Sequence, residues 1–307
     1  MSKKMLLLVN PYSGRGISRT ALGDIVTQFA ERDYVVCTYL TKARGVSAFA
    51  RENAANFDLL VCVGGDGTLS DVVKGLMQLP IDKRPPIGYI PMGTANDMAT
   101  TLALSKDINV AVDTILDGTP VAVDIGSYGG DYFTYVAAFG AFTGVSYSTP
   151  QSAKRALGNL AYVFGGLADI VSIKPRKTRV EYDGGVIEDT FIFGGVTNTT
   201  SVAGLVRLNP SVVDLGDGKF EVILVRKPMK ALDLAELLTS IATTATYSDN
   251  VRIIHTSRVK FTFEEPVAWT RDGENGGMHT ELEVQNHARA VQIIIAEEER
   301  LPPMHVI

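Results

Sequence analysis

Asp66 sits inside Gly64-Gly-Asp-Gly-Thr68, a carboxylate among glycines directly after an apolar run of strand length. Leu59 to Val63 is continuously apolar, the pattern of a strand covered on both faces in a parallel sheet. Gly64, Gly65 and Gly67 admit backbone angles that side chains forbid. A helix is predicted from Leu69, with Leu69, Val72, Val73 and Leu76 on one face, so its leading N–H groups point from the glycine turn toward an anion. A negative charge in a loop built for phosphate is a conflict, removed if a divalent cation or a proton-transfer network lies between the two. The pattern points to a nucleotide with magnesium. The plainer alternative is a turn with Asp66 as a helix cap.

Two other loops carry charge, Val213-Asp-Leu-Gly-Asp-Gly-Lys219 and Thr270-Arg-Asp-Gly-Glu-Asn-Gly-Gly277. Asp214 and Asp217, with backbone carbonyls, offer hard oxygen ligands to magnesium. Glu274, with glycines on both sides, is a candidate general base whose ionisation Arg271 or Asp272 would tune. Asp-Gly pairs also make tight turns unaided, so each loop has a purely structural alternative. His255, His279, His287 and His305 share no spacing and read as surface residues without a role. Cys37 and Cys62 fall in predicted buried strands without metal-ligand spacing, as small core residues of a cytosolic chain would.

The elements that must carry these residues alternate. Lys4 to Val9 is a strand ending in Asn10-Pro-Tyr-Ser-Gly14, and Ile17, Ala21, Leu22, Ile25 and Phe29 recur at helical spacing. Tyr34 to Leu40 is a second strand ending at Thr41, followed by a helix through Phe49. Ile87 to Ile90 runs into Pro91-Met-Gly-Thr-Ala-Asn-Asp97, where Thr94 or Asn96 is a candidate cap. Asp107 opens a helix through Leu116, with Gly118 as its expected C-cap. Alternation implies parallel pairing and right-handed crossovers, so the four polar loops converge on one rim, where ligands of such sheets bind.

After Pro120 the chain becomes β-rich. Hairpins are expected at Val121 to Tyr128 with Tyr132 to Ala138, and at Arg179 to Tyr182 with Val186 to Phe193. Phe220 to Val225, Arg252 to Phe263 and Arg289 to Ile295 are further strands. Ser152 to Val171 and Ala231 to about Tyr247 are expected helices, and the uncharged stretches Tyr132 to Phe142 and Leu157 to Leu167 are candidate walls of an apolar groove.

The chain has 307 residues, enough for two domains with real cores. Its 46% hydrophobic and 21% charged residues are those of a soluble globular protein. A net charge of −5 argues against nucleic acid as partner and against a polybasic membrane anchor. Met5 to Val9 is too short for a signal peptide, and Phe133 to Ala153 is too interrupted for a membrane span.

In order along the chain, Asn10-Pro-Tyr-Ser-Gly14, Gly64-Gly-Asp-Gly-Thr-Leu69, Pro91-Met-Gly-Thr-Ala-Asn-Asp97, Asp217-Gly-Lys-Phe-Glu-Val222 and Asp272-Gly-Glu274 resemble the diacylglycerol kinase catalytic-domain family. Within it they are most similar to the soluble bacterial lipid kinases of the DgkB type. The resemblance spans Met5 to Ile295. It implies an α/β N-terminal domain with a parallel sheet (1–122 plus about 296–307), a β-rich C-terminal sandwich domain that binds lipid and magnesium (123–295), and an ATP cleft between them. It places nucleotide contacts on Asn10, Pro11, Tyr12, Ser13, Gly14, Thr41, Gly65, Asp66, Gly67, Thr68, Leu69, Ser70, Asp71 and Thr94. It places magnesium on Asp214, Asp217 and the backbone of Lys219, and the catalytic base on Glu274, with Asp66 as rival. Ser70, Asp71, Lys74 and Thr100 depart from the family's usual residues.

The activity so implied is ATP-dependent, Mg2+-dependent phosphorylation of a lipid hydroxyl, with diacylglycerol as first acceptor. A polyprenol, phosphatidylglycerol or a sphingoid base would need the same chemistry and another pocket. NAD kinase, which shares Gly-Gly-Asp-Gly and a β-rich second domain, is a soluble-substrate alternative, and a catalytically silent nucleotide- or lipid-binding module is another. The resemblance further implies a homodimer, cytoplasmic and transiently at the inner face of the membrane.

Overall fold

Met5, Leu6, Leu7, Leu8 and Val9 are all completely buried and make up most of β1 (Lys3–Val9), the strand on which the first half of the chain is laid. The computed structural model describes residues 2–14, 16–17, 19–41, 45–140, 174–202, 206–208, 213–227 and 250–297. The helices expected at Ser152 to Val171 and Ala231 to Tyr247, the stretch Leu157 to Leu167 and the chain beyond 297 lie outside the described residues.

From β1 the chain continues through α1 (Arg19–Glu31), β2 (Tyr34–Leu40), α2 (Val46–Asn53), β3 (Leu59–Gly64), α3 (Asp66–Leu76), β4 (Ile87–Pro91), α4 (Asp97–Thr101) and α5 (Ile108–Asp117). The four strands are parallel in the order β4-β3-β1-β2. Val9 pairs with both Leu40 and Val63, and Gly64 with Pro91, so all four strands end along one edge. The chain leaves β1 on one side to form β2 and returns on the other as β3. The strand order therefore reverses between β1 and β3, the switch point where ligands of such sheets bind.

Two-residue periodicity divides the sheet. Met5, Leu7, Val9, Leu59, Val61 and Val63 pack with Ile25 and Phe29 of α1 and with Ala111, Val112 and Ile115 of α5. The alternate residues Leu6, Leu8, Leu60 and Cys62 are just as fully buried. Removing one such side chain, as in Leu7→Ala, costs about 2–5 kcal/mol. Asp107 caps α5 as expected, its Oδ1 accepting the N–H groups of Asn109 and Val110 at 2.9 and 3.2 Å.

The second half is antiparallel: β5 (Thr119–Tyr128), β6 (Asp131–Phe133), β7 (Val136–Gly140), β8 (Arg176–Tyr182), β9 (Gly185–Thr197), β10 (Ser201–Val202), β11 (Val206–Arg207), β12 (Phe220–Arg226), β13 (Val251–Thr256), β14 (Arg258–Arg271) and β15 (Glu274–Ile295). The long strands β9 and β14 each pair with β7 along one part of their length and with β8 along another, and β12 joins β9 to β13. The core between them is aromatic: Phe139, Phe261, Phe263 and Trp269 lie 5.0–6.4 Å apart by ring centroids, within the range where such pairs attract.

The chain divides into two units, 1–125 with 215–217 and 288–307, and 126–214 with 218–287. The return to the first unit thus begins at Ala288, ahead of the Ile295 expected, and Ile293 of β15 pairs in parallel with Ile87 of β4. Gly118 also serves this return, because a Cβ there would run into the Ile295 carbonyl oxygen.

Three expectations need correction. α3 begins at Asp66 and not at Leu69, because extended Gly65 ends the strand and its carbonyl accepts the N–H groups of Thr68 and Leu69 at 2.9 and 3.1 Å. Cys37 is exposed, since β2 pairs only with β1 among the described strands and its residues are covered only in part. Arg252 to Phe263 is two strands broken at Ser257, whose N–H and hydroxyl both donate to Asp183. Thr270 to Gly277 takes the turn alternative: it is the tip of the β14–β15 hairpin, with Asp272 and Gly273 between the strands and Arg271 paired with Glu274.

Candidate functional site

The three loops at the end of β1, β3 and β4 touch. Asn10 follows β1 and its N–H donates to Val63 at 2.8 Å, while its Nδ2 donates to the Thr68 hydroxyl at 2.9 Å. The Ser13 hydroxyl accepts the Gly65 N–H at 3.2 Å. Glycines make this approach possible. Gly14 has φ +56°, and a Cβ there would strike the Met92 carbonyl oxygen. A Cβ on Gly65 would stand 3.0 Å from the Gly93 Cα, and one on Gly93 would stand 2.7 Å from the Gly65 Cα.

The β4 loop is closed by Asn96, buried and left-handed at φ 56°. Its Oδ1 accepts the Gly93 N–H at 2.8 Å and its Nδ2 donates to the Gly93 carbonyl at 2.9 Å. Asn96 is thus the N-cap residue of α4 by position, but its side chain is turned back to Gly93.

Asp66 occupies the first turn of α3 and reaches across to α4, where its Oδ1 accepts the Met98 N–H at 3.3 Å. It caps a helix, though not its own. Burial, followed by the negative charge of Asp97, pushes its carboxyl up to about 6 against the pull of the α4 amides. Asp97, itself buried, is a partner that reading the loop for caps alone missed; a second acid at the end of the Pro91 to Asp97 motif was the available signal.

The other residues expected to hold nucleotide divide by exposure. Tyr12 is 81% exposed at the rim, Thr94 and Gly67 are exposed, and Pro11 and Asp71 are half-buried. Thr41 is buried and its N–H donates to Val9 at 2.8 Å. Leu69 and Ser70 are enclosed within the packed side of α3, so their side chains do not line a surface. Gly67 differs from the other glycines of the loop: a Cβ there would meet nothing within 4 Å. Packing does not demand a glycine at that position, whereas close approach by a ligand would. Gly67 lies in the first turn of α3, at a helix N-terminus, where backbone N–H groups suit an anion.

The Asp214 to Lys219 loop is held from outside its own sequence. Asp124 donates its N–H to the Leu215 carbonyl at 2.7 Å, and its Oδ1 accepts the Arg289 N–H at 2.6 Å. Arg289 Nε then donates to the Gly216 carbonyl at 3.1 Å. Asp124 is completely buried, and a lone acid in the apolar run Val121 to Tyr128 was the sign of it. Asp217 is exposed and Asp214 half-buried. No cluster of three or more acidic, histidine or cysteine side chains that could hold a metal ion occurs among the described residues.

Glu274 is exposed next to the Asp272-Gly273 turn, both of whose residues have positive φ, 46° and 79°. Arg271 pairs with Asp131 at 2.6 Å and lies 5.2 Å over the Tyr128 ring, and the Asp272 carboxylate accepts backbone N–H groups from residues 134–136. Gly276 is a packing residue, because a Cβ there would run into the Tyr128 hydroxyl. His279 and His287 are half-buried and not simply surface: one ring bonds the Gly276 carbonyl and the other the Ser127 hydroxyl, each at 2.8 Å.

Residues 4–128 match the diacylglycerol kinase catalytic domain, and residues 139–295 match the YegS C-terminal NAD kinase beta sandwich-like domain. A diacylglycerol kinase of Bacillus subtilis (strain 168) is 35% identical over 304 residues, covering 96% of this chain and 97% of the relative. The chain belongs to the diacylglycerol kinase family. A diacylglycerol kinase of Staphylococcus aureus (strain JH9) is 35% identical over 285 residues, covering 90% of this chain and 88% of the relative. In structure, a candidate diacylglycerol kinase from Bacillus anthracis superposes with a TM-score of 0.81 at 25% identity over 96% of this chain and 98% of that one. A second Bacillus anthracis structure shares the fold at a TM-score of 0.76 and 23% identity, over 96% and 98% of the two chains. The two-domain architecture, an α/β catalytic domain and a β-sandwich-like domain, is that of this family. As kinases, its members use ATP. No helix among the described residues is long and apolar enough to cross a membrane.

Proposed function

We propose that this protein phosphorylates diacylglycerol with ATP, giving phosphatidic acid and ADP. The observation that carries the reading is the crevice between β1 and β3, where three loops meet and Gly67 is left open, in a chain whose relatives along nearly its whole length are diacylglycerol kinases. ATP would supply the phosphoryl group, and Asp214, Asp217 and the Lys219 carbonyl would hold a magnesium ion that supplies positive charge. Residues 10–14, Thr41, Gly65 to Asp71 and Thr94 form the nucleotide site, with Leu69 and Ser70 contributing by packing α3.

Phosphoryl transfer to an alcohol asks the protein chiefly to position the reactants and to accept one proton. Glu274 accepts the acceptor hydroxyl's proton, and Asp66 holds the α3–α4 junction that shapes the phosphate end of the crevice. The protein works in the cytoplasm as a homodimer that visits the inner face of the membrane for its lipid.

The test is ATP turnover by the purified protein against mixed micelles of diacylglycerol, a polyprenol, phosphatidylglycerol or a sphingoid base, and against NAD in solution. Turnover with diacylglycerol well above the others is expected. Equal or greater turnover of another lipid alcohol would reassign the acceptor, and turnover of NAD without any lipid turnover would overturn the lipid reading.

A further inference from the structure

Asp272 is a carboxylate that the hairpin turn does not need in its buried position. Asp-Gly at two positive-φ positions already specifies a two-residue turn between antiparallel strands, with the acid free to face water. Here the residue is 6% exposed and its carboxylate is turned into the protein. Oδ2 accepts the Thr134 N–H at 2.7 Å, and Oδ1 accepts those of Tyr135 and Val136 at 3.1 and 3.2 Å. The Asp272 N–H returns a bond to the Val136 carbonyl at 2.9 Å. Burying a carboxylate is costly unless its oxygens are satisfied, and these three charge-assisted bonds do that.

The donors come from an interruption of the sheet. Tyr132 to Ala138 was expected to be one continuous strand, but β6 ends at Phe133 and β7 starts at Val136. The amides of Thr134 and Tyr135 in the break, and of Val136 at the start of β7, turn to Asp272, so the chain binds the tip of another hairpin there. One residue earlier, Arg271 grips Asp131 and lies over Tyr128 on the β5–β6 hairpin. The turn is therefore clamped on two consecutive residues, and the next residue after Gly273 is Glu274, directly across the ladder from Arg271.

We propose that Asp272 is a positioning residue for the reaction: its carboxylate, locked on the amides of residues 134–136, fixes where the β14–β15 turn presents Glu274. The inference rests on Glu274 being the base, as read above. A base must stay within hydrogen-bond reach of the proton it takes, and a displacement of about 1 Å costs on the order of 10²-fold in rate. Asp272 acts only through Glu274 and touches neither ATP nor acceptor.

Asp272→Asn is the informative variant, because asparagine tolerates the left-handed φ but lacks the charge and presents an amide where one oxygen accepted a bond. It is compared with Glu274→Gln and with the double variant, alongside Gly273→Ala, which disturbs the turn from its other residue where a Cβ has no neighbour closer than 3.8 Å. In the Glu274 background, Asp272→Asn should lower kcat by roughly 10- to 100-fold with the KM for ATP unchanged. In the Glu274→Gln background it should lower kcat no further, and Gly273→Ala should show the same dependence on Glu274. Thermal unfolding confirms that each variant is folded; if Asp272→Asn is not, Gly273→Ala alone decides. An equal loss in both backgrounds would overturn the positioning role and leave Glu274 as the base. A Glu274→Gln protein with full turnover would overturn both.

Discussion

Asp66 and Met98 are joined across two loops: the Asp66 carboxylate accepts the Met98 N–H at 3.3 Å, so the acid after β3 caps the short helix after β4. The acid is held there despite burial and the nearby charge of Asp97, which push its carboxyl from 3.8 to about 6. Its protonated form is thus favoured by the folded state. That contribution to stability is complete below pH 3.8 and is lost as pH rises through about 6.

Asp66→Asn keeps an acceptor oxygen for Met98 and removes the charge. The variant should be more stable than the wild type at pH 7.5, by about 2–3 kcal/mol at most, and the gap should close toward pH 4. Urea unfolding of both proteins across pH 4–8 checks it, and a constant gap would refute the assignment. Asp66→Ala, which also loses the cap, should abolish turnover.

Gly14→Ala should disrupt the crevice. The added methyl is directed at the Met92 carbonyl oxygen and the residue is left-handed, so the loop after β1 must withdraw from the one after β4. Strain of this kind costs about 1–3 kcal/mol, and ATP affinity should fall at least 10-fold. Gly67→Ala has open space and should keep stability while still weakening ATP binding. Calorimetric ATP titration together with thermal melts separates the two.

Asp217→Ala should shift the magnesium titration of activity to higher concentration, with little change in the KM for ATP. Asp217 is exposed, and the loop's anchors, Asp124 and Arg289, remain. An unchanged magnesium titration would remove Asp217 from the metal site.

Glu274→Gln keeps the shape and removes the base, so kcat should fall by roughly 10²–10⁴-fold with ATP binding intact. Near-normal turnover would transfer the role to Asp66.

Local rules were enough for much of this molecule. Continuous apolar runs marked β1, β3 and β4, because strands buried on both faces need apolar residues throughout. Asp107 signalled the start of α5 through the N–H groups that every helix leaves open. The glycine loops announced a close approach of backbones, since a Cβ at Gly14, Gly65 or Gly93 would crowd the neighbouring loop. What the sequence could not settle depends on partners distant along the chain. Whether Cys37 is covered depends on what packs over β2. That Asp66 caps α4, that Asp124 and Arg289 hold the Asp217 loop, and that Asp272 binds residues 134–136 are choices among many possible acceptors and donors. Each buried acid must find N–H groups, but which ones it finds is decided only when the sheets bring residues 32, 165 and 138 positions apart into contact.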